Sequence, residues 1–220
     1  MVQNSFHRIS ICGFSSTFIV SSISYKTEAA VCGLMEMIKI ILVPEIELSD
    51  QQKQGAEELE RQCFSDVDPK EGEECFCAES FARILAYNNN ELVGCLTLHK
   101  RNMKFDGREL VLGGAVGACV AEYVRGRGIA TKMMKKELEI LGEQKCDVAC
   151  LNADSVKRKT AYRLYQRLGF KLMKRKISFE DIHGNIRYDT GTMFIPLRSK
   201  EILNHIMNSN KTFHYGKGYW

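Results

Sequence analysis

Arg125, Gly126, Arg127, Gly128 and Ala130 are the residues of this chain best placed to do chemistry. They form the stretch R-G-R-G-I-A between an apolar run from Val111 to Val120 and a helical pattern from Thr131 to Leu141. Small residues at Gly126, Gly128 and Ala130 let the backbone come close to an anion. The first amides of a helix have no partner inside it, its dipole adds about half a positive charge at that end, and Arg125 and Arg127 add whole ones. Such a turn is a cradle for a pyrophosphate. Charge is also patterned over longer distances. From Glu45 to Glu79 twelve acids stand against three bases, Lys53, Arg61 and Lys70, whereas from Lys132 to Lys176 thirteen bases stand against five acids. The first segment steers a cation and the second a polyanion, a polarity that the net charge of +4 hides.

Positioning these groups takes a plain alternation of elements from residue 37 onward, without repeats or low-complexity tracts. The pattern predicts a strand over 38–43 and then a helix capped by Ser49 with Asp50 in its first turn. A charged segment, 64–79, follows. Strands are expected over 82–87 and 91–100, around asparagines 88–90 that tolerate the positive φ of a hairpin turn, and Phe105-Asp106-Gly107 turns the chain into a strand over 109–120. Gly113, Gly114 and Gly117 suit a bulged strand that a ligand approaches closely. After the cradle come a helix over 127–141, a strand over 148–151, a helix over 156–168 closed by Gly169, and strands over 170–179 and 186–197 across His183-Gly184-Asn185. The expected fold class is α/β, of the α+β kind: a mixed, mostly antiparallel central sheet with helices on both faces.

The cradle and the run Ala161-Tyr162-Arg163-Leu164-Tyr165-Gln166-Arg167-Leu168-Gly169-Phe170 read as R-x-x-G-x-A and then L-Y-x-x-L-G-F, with a predicted strand between them. In this order they resemble the paired motifs of the GNAT superfamily of acetyl-CoA-dependent N-acetyltransferases. The resemblance implies a GNAT fold and acetyl-CoA as co-substrate, its diphosphate held by Arg125, Gly126, Arg127, Gly128, Ile129 and Ala130. It implies a sheet that splays after strand 109–120, leaving the backbone of Ala118, Cys119 and Val120 to the pantetheine arm. The Val120 amide is then the donor to the carbonyl oxygen as charge grows on it, and Tyr165 is the acid near the sulfur. Without that role, Tyr165 also fits the apolar stripe of Ala161, Leu164 and Leu168.

The last thirty residues, from Gly191-Thr192-Met193-Phe194-Ile195-Pro196 to Gly216-Lys217-Gly218-Tyr219-Trp220, resemble the ending of the aminoglycoside 2′-N-acetyltransferases. This implies acceptor contacts from Asp189 and from the carboxylate of Trp220, in an antibiotic-resistance chemistry. Two positions depart from the pattern. Val116 stands where that family carries a glutamate base, and Gly218 where it carries a substrate-contacting aspartate. Asp66, Asp68 and Asp189, with the terminal carboxylate, are the acids left to gather a cation. The expected acceptor is therefore a small cationic amine, an aminoglycoside among the candidates, attacked directly in a ternary complex. Two alternatives stand beside it: acetylation of a protein or peptide amine, and a non-catalytic module that senses acyl-CoA or RNA through its basic half.

At 220 residues and 45% hydrophobic character the chain has the size of one domain with a real core. No run approaches the ~20 apolar residues of a membrane span, so neither a membrane nor a nucleic acid is the expected partner, and a homodimer is left open. Nine cysteines without C-x-x-C spacing or partnered histidines point to reduced core residues, no metal, and a cytoplasmic setting. Cys119 is notable because it falls where the strand would pass a thioester. His99, His183, His205 and His214 form no triad; His214 in the tail is a candidate lining of the acceptor pocket. Lys157-Arg158-Lys159 reads as a helix start that can also embrace a coenzyme 3′-phosphate. Residues 1–36 are Ser-rich with only Arg8, Lys26, Glu28 and Glu36 charged, and are expected to be an upstream extension of a catalytic domain over 37–220.

Overall fold

The computed structural model describes residues 38–153 and 158–220. The extension expected over 1–36, the helix start expected at Val156 and the cation Lys157 lie outside the described residues. Strands β1 (Ile38–Pro44), β2 (Ser80–Asn88), β3 (Glu91–Phe105) and β4 (Arg108–Val120) form an antiparallel meander. The β2–β3 and β3–β4 turns require left-handed backbone, supplied by Asn89 at φ 54° and by Asp106 and Gly107 at 46° and 82°. A crossover through α3 (Ile129–Glu143) brings β5 (Val148–Asn152) parallel to β4, and β9 (Thr192–Pro196) and the short β6 (Lys171–Leu172) complete a sheet ordered β1-β2-β3-β4-β5-β9-β6. A second sheet, β10-β7-β8, joins β7 (Ile177–Glu180), β8 (Ile186–Asp189) and β10 (Phe213–Lys217). The fold class is the one the sequence implies.

Two helices sandwich the meander. Helix α1 (Asp50–Cys63) starts at a capping box, in which the Gln52 amide donates to Ser49 Oγ at 3.2 Å and the Ser49 amide to Gln52 Oε1 at 3.0 Å. It buries Ala56 and Leu59 against Leu85, Cys95 and Cys119. On the other side, α3 buries Ile129, Met133, Met134, Ile140 and Leu141 with Ile84, Leu96, Leu98 and Ala115. Ile84 and Leu85, or Cys95 and Leu96, are strand neighbours, and such neighbours point to opposite faces, so the two helices must lie on opposite faces of the sheet. Each fully buried aliphatic side chain contributes about 1.5–3 kcal/mol, enough to lock β4 between them.

The second half of the chain departs from the expected outline. The strand expected over 170–179 breaks into β6 and β7, and that over 186–197 into β8 and β9; in each case the first piece and the second belong to different sheets. Lys174-Arg175-Lys176 and Asp189-Thr190-Gly191 interrupt the apolar alternation at these breaks, but the interruption does not reveal which sheet the chain joins next. The charged segment contains helix α2 (Pro69–Cys75), started by Asp68, whose Oδ1 accepts from the Lys70 amide at 2.9 Å, and by Pro69 in the first turn. Helix α4 (Lys159–Leu168) ends at Gly169 as its C-terminal pattern requires. A further helix, α5 (Lys200–Asn208), capped by Ser199 and burying Leu203 and Ile206, precedes β10.

Candidate active site

Strand β4 is paired on both sides over only part of its length. Leu112, Gly113 and Gly114 pair with Val148, Ala149 and Cys150 of β5, and no further ladder partner follows on that side among the described residues. On the other side β3 stays with β4 to Val120. Beyond Gly114 the two parallel strands part, and residues 115–120 keep one edge open. The Ala121 amide donates to Val93 O at 2.8 Å, and because amides alternate in an antiparallel ladder, the Val120 amide faces the opened side. The β3–β4 register shifts between the Cys95–Cys119 and Thr97–Val116 pairs, a bulge at Gly117, whose φ of 68° a side chain would resist. The open half of β4 thus offers unpaired backbone beside a local twist.

At the end of this half lies the cradle. Gly126 and Gly128 have φ of 83° and 78°, and a β-carbon on either would meet nothing within 4 Å, so the glycines serve the turn and leave its outer side clear. Gly128 is the N-cap of α3 and supplies no side-chain acceptor, which leaves the first amides of a 15-residue helix for an external anion. Arg125 and Arg127 are exposed, Ile129 is buried and Ala130 half-buried. Arg125 also folds back, its Nε donating to Val120 O at 2.9 Å and its Nη2 to Cys63 Sγ at 3.5 Å. The fit to a diphosphate rests on the glycine conformations, the uncapped helix start and the adjacent cations together.

On the α1 face, the bulge meets Glu60. A β-carbon built on Gly117 would lie 2.8 Å from Glu60 Oε1. Around this carboxylate stand three thiols: Cys95 Sγ is 3.8 Å from Oε1, Cys119 Sγ is 3.2 Å from Cys95 Sγ, and Cys63 Sγ donates to Val120 O at 3.6 Å. Burial pushes the Glu60 carboxyl pKa up, against the pull of Arg83 and the Cys95 hydrogen bond. A hydrogen bond with Cys63 favours a Cys119 thiolate, but the hydrogen bond with Cys95, burial and the Glu60 charge outweigh it and hold that thiol far above the ordinary range. Cys119 at the strand end is therefore a packed thiol and a backbone position, not a nucleophile at neutral pH. Val116, on the same side of β4, is an apolar, half-buried residue packed on the tail core and brings no base.

Tyr165 lies on α4 in the opposite core, only 7% exposed, its ring 6.0 Å from that of Phe170. Burial first and the Glu137 carboxyl second push its pKa up to about 12. Glu137, in the apolar stripe of α3, is fully buried with neither oxygen partnered among the described residues, and burial raises it to about 8. At pH 7 it is a neutral acid beside the tyrosine.

The acids expected to gather an acceptor are not in one place. Asp66 pairs with Arg158, which also donates to Cys63 O at 3.4 Å and lies over the Phe64 ring at 5.1 Å. These contacts bring the end of α1 against the start of α4. Asp68 is the exposed cap of α2. Asp189 closes β8, where it accepts from the Asn152 side-chain amide and from the Thr190 amide at 2.6 Å. Asn152 also donates to the Tyr219 hydroxyl, which is 3.4 Å from Thr192 Oγ1. This polar group of Asn152, Asp189, Thr192 and Tyr219 sits at the end of β5, the strand that leaves β4.

The tail is tightly held. Trp220 is 1% exposed, stacked on His99 at 5.4 Å and 4°, covered by the Arg101 guanidinium at 4.7 Å and edged by Tyr215 at 5.4 Å. Arg101 further donates to the carbonyls of Tyr215 and Lys217. Burial lowers the His99 pKa to about 4, so the stack is between neutral rings at pH 7. Gly218 lies against the Ala78 backbone, leaving no room for an aspartate there. His214 is exposed and engages Ser178 Oγ at 3.0 Å. A recess of about 380 Å³ lined by Asp106, Arg108, Glu201 and His205 lies at the start of β4, the end remote from the cradle.

The glycine turn before α3 and the open edge of β4 lie where the sequence places them, and Tyr165 lies in the core; Glu60, Glu137, Asn152 and Tyr219 are not among the residues the sequence singles out. A signal for Glu137 existed, since it interrupts the apolar spacing of Met133, Met134, Ile140 and Leu141. Glu60 carried a fainter one, standing between Leu59 and Cys63 on the inner side of α1.

A family model for the acetyltransferase (GNAT) domain matches residues 46–173. No curated protein matches the sequence. Among solved structures, the fold is similar to that of the Escherichia coli GNAT family N-acetyltransferase YhbS in complex with CoA, with TM-score 0.52 and 17% identity over 82% of this chain and 90% of that one. Escherichia coli ElaA aligns with TM-score 0.51 and 21% identity over 72% of this chain and 97% of its own. Eis1 from Mycobacterium abscessus matches with TM-score 0.49 and 15% identity over 64% of this chain, which spans 33% of the length of Eis1.

Proposed function

We propose that this chain, which belongs to the GNAT acetyltransferase family, carries acetyl from acetyl-CoA to the primary amine of a small cationic acceptor in a ternary complex. N-acetylation with acetyl-CoA as donor is the activity of the family. The observation that supports the narrower reading is a pair of carboxylates beside the opened β4–β5 edge, Glu60 at Gly117 and Asp189 at the end of β5, with the basic cradle following Val120. The carboxylates draw an ammonium group and the cradle a polyanion. The 2′-amine of an aminoglycoside is one acceptor of this class.

Acetyl-CoA, when bound, supplies an acyl group activated as a thioester. Arg125, Arg127 and the first amides of α3 would hold its diphosphate, and the backbone of Ala118, Cys119 and Val120 its arm. The Val120 amide is the donor for the carbonyl oxygen as negative charge gathers there. Tyr165 is the donor for the departing sulfur. With a pKa of about 12 against ~8.5 for an ordinary thiol, its hydroxyl stabilises a thiolate by hydrogen bonding more readily than by surrendering the proton outright. Asn152, Asp189 and Tyr219 form the polar wall an amine-bearing acceptor would meet.

The test is a panel of aminoglycosides, polyamines and peptide amines, with release of free thiol followed after each is mixed with acetyl-CoA. Turnover with small polycations and not with peptides is the expected result; turnover confined to peptides overturns the acceptor assignment.

A further inference from the structure

We infer that Glu60 is the general base that takes the proton from the acceptor's ammonium, a role that Val116 leaves vacant on β4. The inference rests on the acetyltransferase reading and deepens it. An ammonium does not attack a thioester; it must lose a proton within reach of the acyl carbon, and a base serves only if it stands at that point. Glu60 reaches from α1 onto the bulge of β4 at Gly117, where β5 has parted from β4, and the absence of a side chain at Gly117 leaves its carboxylate lying directly on the strand. It shares this face with Val116 and Cys119.

The carboxylate is also left uncommitted. Among the described residues only the Cys95 thiol, a weak donor at 3.8 Å, is hydrogen-bonded to it. Arg83 is the cation whose charge acts on it, and that guanidinium is engaged by Glu45 at 3.4 Å. The charged and titratable groups facing Glu60 are Glu57 on its own helix, Arg83 on β2, Cys95 on β3, Cys119 on β4 and Glu45 after β1. Burial dominates their sum and moves the carboxyl upward, toward the pH range in which a base must exchange protons with an amine. Structural carboxylates on helices are normally ion-paired or fully solvated; Glu60 is half-buried and forms no ion pair among the described residues.

The proton balance closes. Glu60 takes one proton from the ammonium, directly or through one water, and the freed nitrogen lone pair forms the N–C bond as the C–S bond breaks. The second proton lost by nitrogen matches the one gained by sulfur, so the first, passed from Glu60 to solvent, is released once per turnover.

The experiment measures kcat/KM for the best amine of the panel from pH 5.5 to 10 in the wild type, Glu60→Gln and Glu60→Asp, with calorimetric acetyl-CoA affinity and thermal unfolding as controls. Glu60→Gln is expected to lose roughly 100-fold at pH 7, the scale of one general base. That deficit should shrink as pH nears the amine's own pKa of about 10, where the base is no longer needed. Glu60→Asp should retain an intermediate rate with a displaced acidic limb, and it serves if the glutamine variant does not fold. Acetyl-CoA affinity should stay within twofold. A folded Glu60→Gln enzyme with the wild-type acidic limb overturns the assignment while leaving the acetyltransferase intact. A uniform loss at every pH marks a structural role and also overturns it. Wild-type protein that releases no thiol with any amine defeats the parent reading.

Discussion

The two halves of β4 have the same neighbours in sequence and opposite fates. From Val111 to Gly114 the strand is closed: β3 on one side, Asp147 and β5 on the other, and the Trp220 indole over Gly114. From Ala115 to Val120 it is open, paired with β3 alone, bulged at Gly117 and bordered by a carboxylate, thiols and an uncapped helix. The closed half is held by aromatic stacking and a guanidinium committed to carbonyls, which yields stiffness. The open half leaves backbone hydrogen bonds unmade, which is costly unless something else makes them. Under the proposed function, stability and chemistry are divided along a single strand, with the tail packed on the first half and the second left open.

The comparison breaks most visibly if Trp220 is truncated. Trp220→Ala should remove about 3–5 kcal/mol of stability by emptying the space between His99, Arg101 and Tyr215, seen as a lower unfolding midpoint. Loss of acceptor affinity at unchanged stability would instead place the indole in the acceptor site. Tyr165→Phe acts on the open half alone: turnover should fall roughly 100-fold with acetyl-CoA affinity and unfolding midpoint nearly unchanged. An unaltered rate removes Tyr165 from the chemistry.

Glu137 tests the burial argument. Its folded-state pKa of about 8 lies above the 4.5 of an ordinary carboxyl, so the contribution is fully present below 4.5 and is lost as pH rises through 8. The wild type should weaken by about 4 kcal/mol between pH 5 and pH 8.5 relative to Glu137→Gln, since linkage acts only on the titrating side chain. Parallel stability curves for the two proteins would show that the carboxyl titrates normally. The smallest change is at the cradle, where Arg127→Ala should weaken acetyl-CoA binding about tenfold at low salt and less as salt screens the charge. An effect independent of salt would deny the electrostatic role.

Much of the closed half was legible in the sequence, because it follows from local rules: apolar alternation for β2 to β4, asparagine and glycine at the turns, Ser49 before α1. The cradle was legible for the same reason, glycines and arginines being contiguous at a strand-to-helix junction. Glu60 was not, since its place depends on how α1 docks across β3 and on a bulge that a sequence shows only as Gly117 among other glycines. Asn152, Asp189 and Tyr219 come from β5, β8 and the tail, so their meeting is fixed by a change of sheet between Asp189 and Thr192, where the polar residues mark a break without showing which sheet follows. Helix α5 and strand β10 escaped because they lie in the stretch where the family resemblance, rather than the residues, guided the reading.

Amide hydrogen exchange with and without acetyl-CoA examines the division of β4 most directly. Slowed exchange over residues 115–120 and at the first amides of α3, with residues 108–114 unaffected, is the predicted result. Protection spread evenly along the strand, or confined to its paired half, would contradict it.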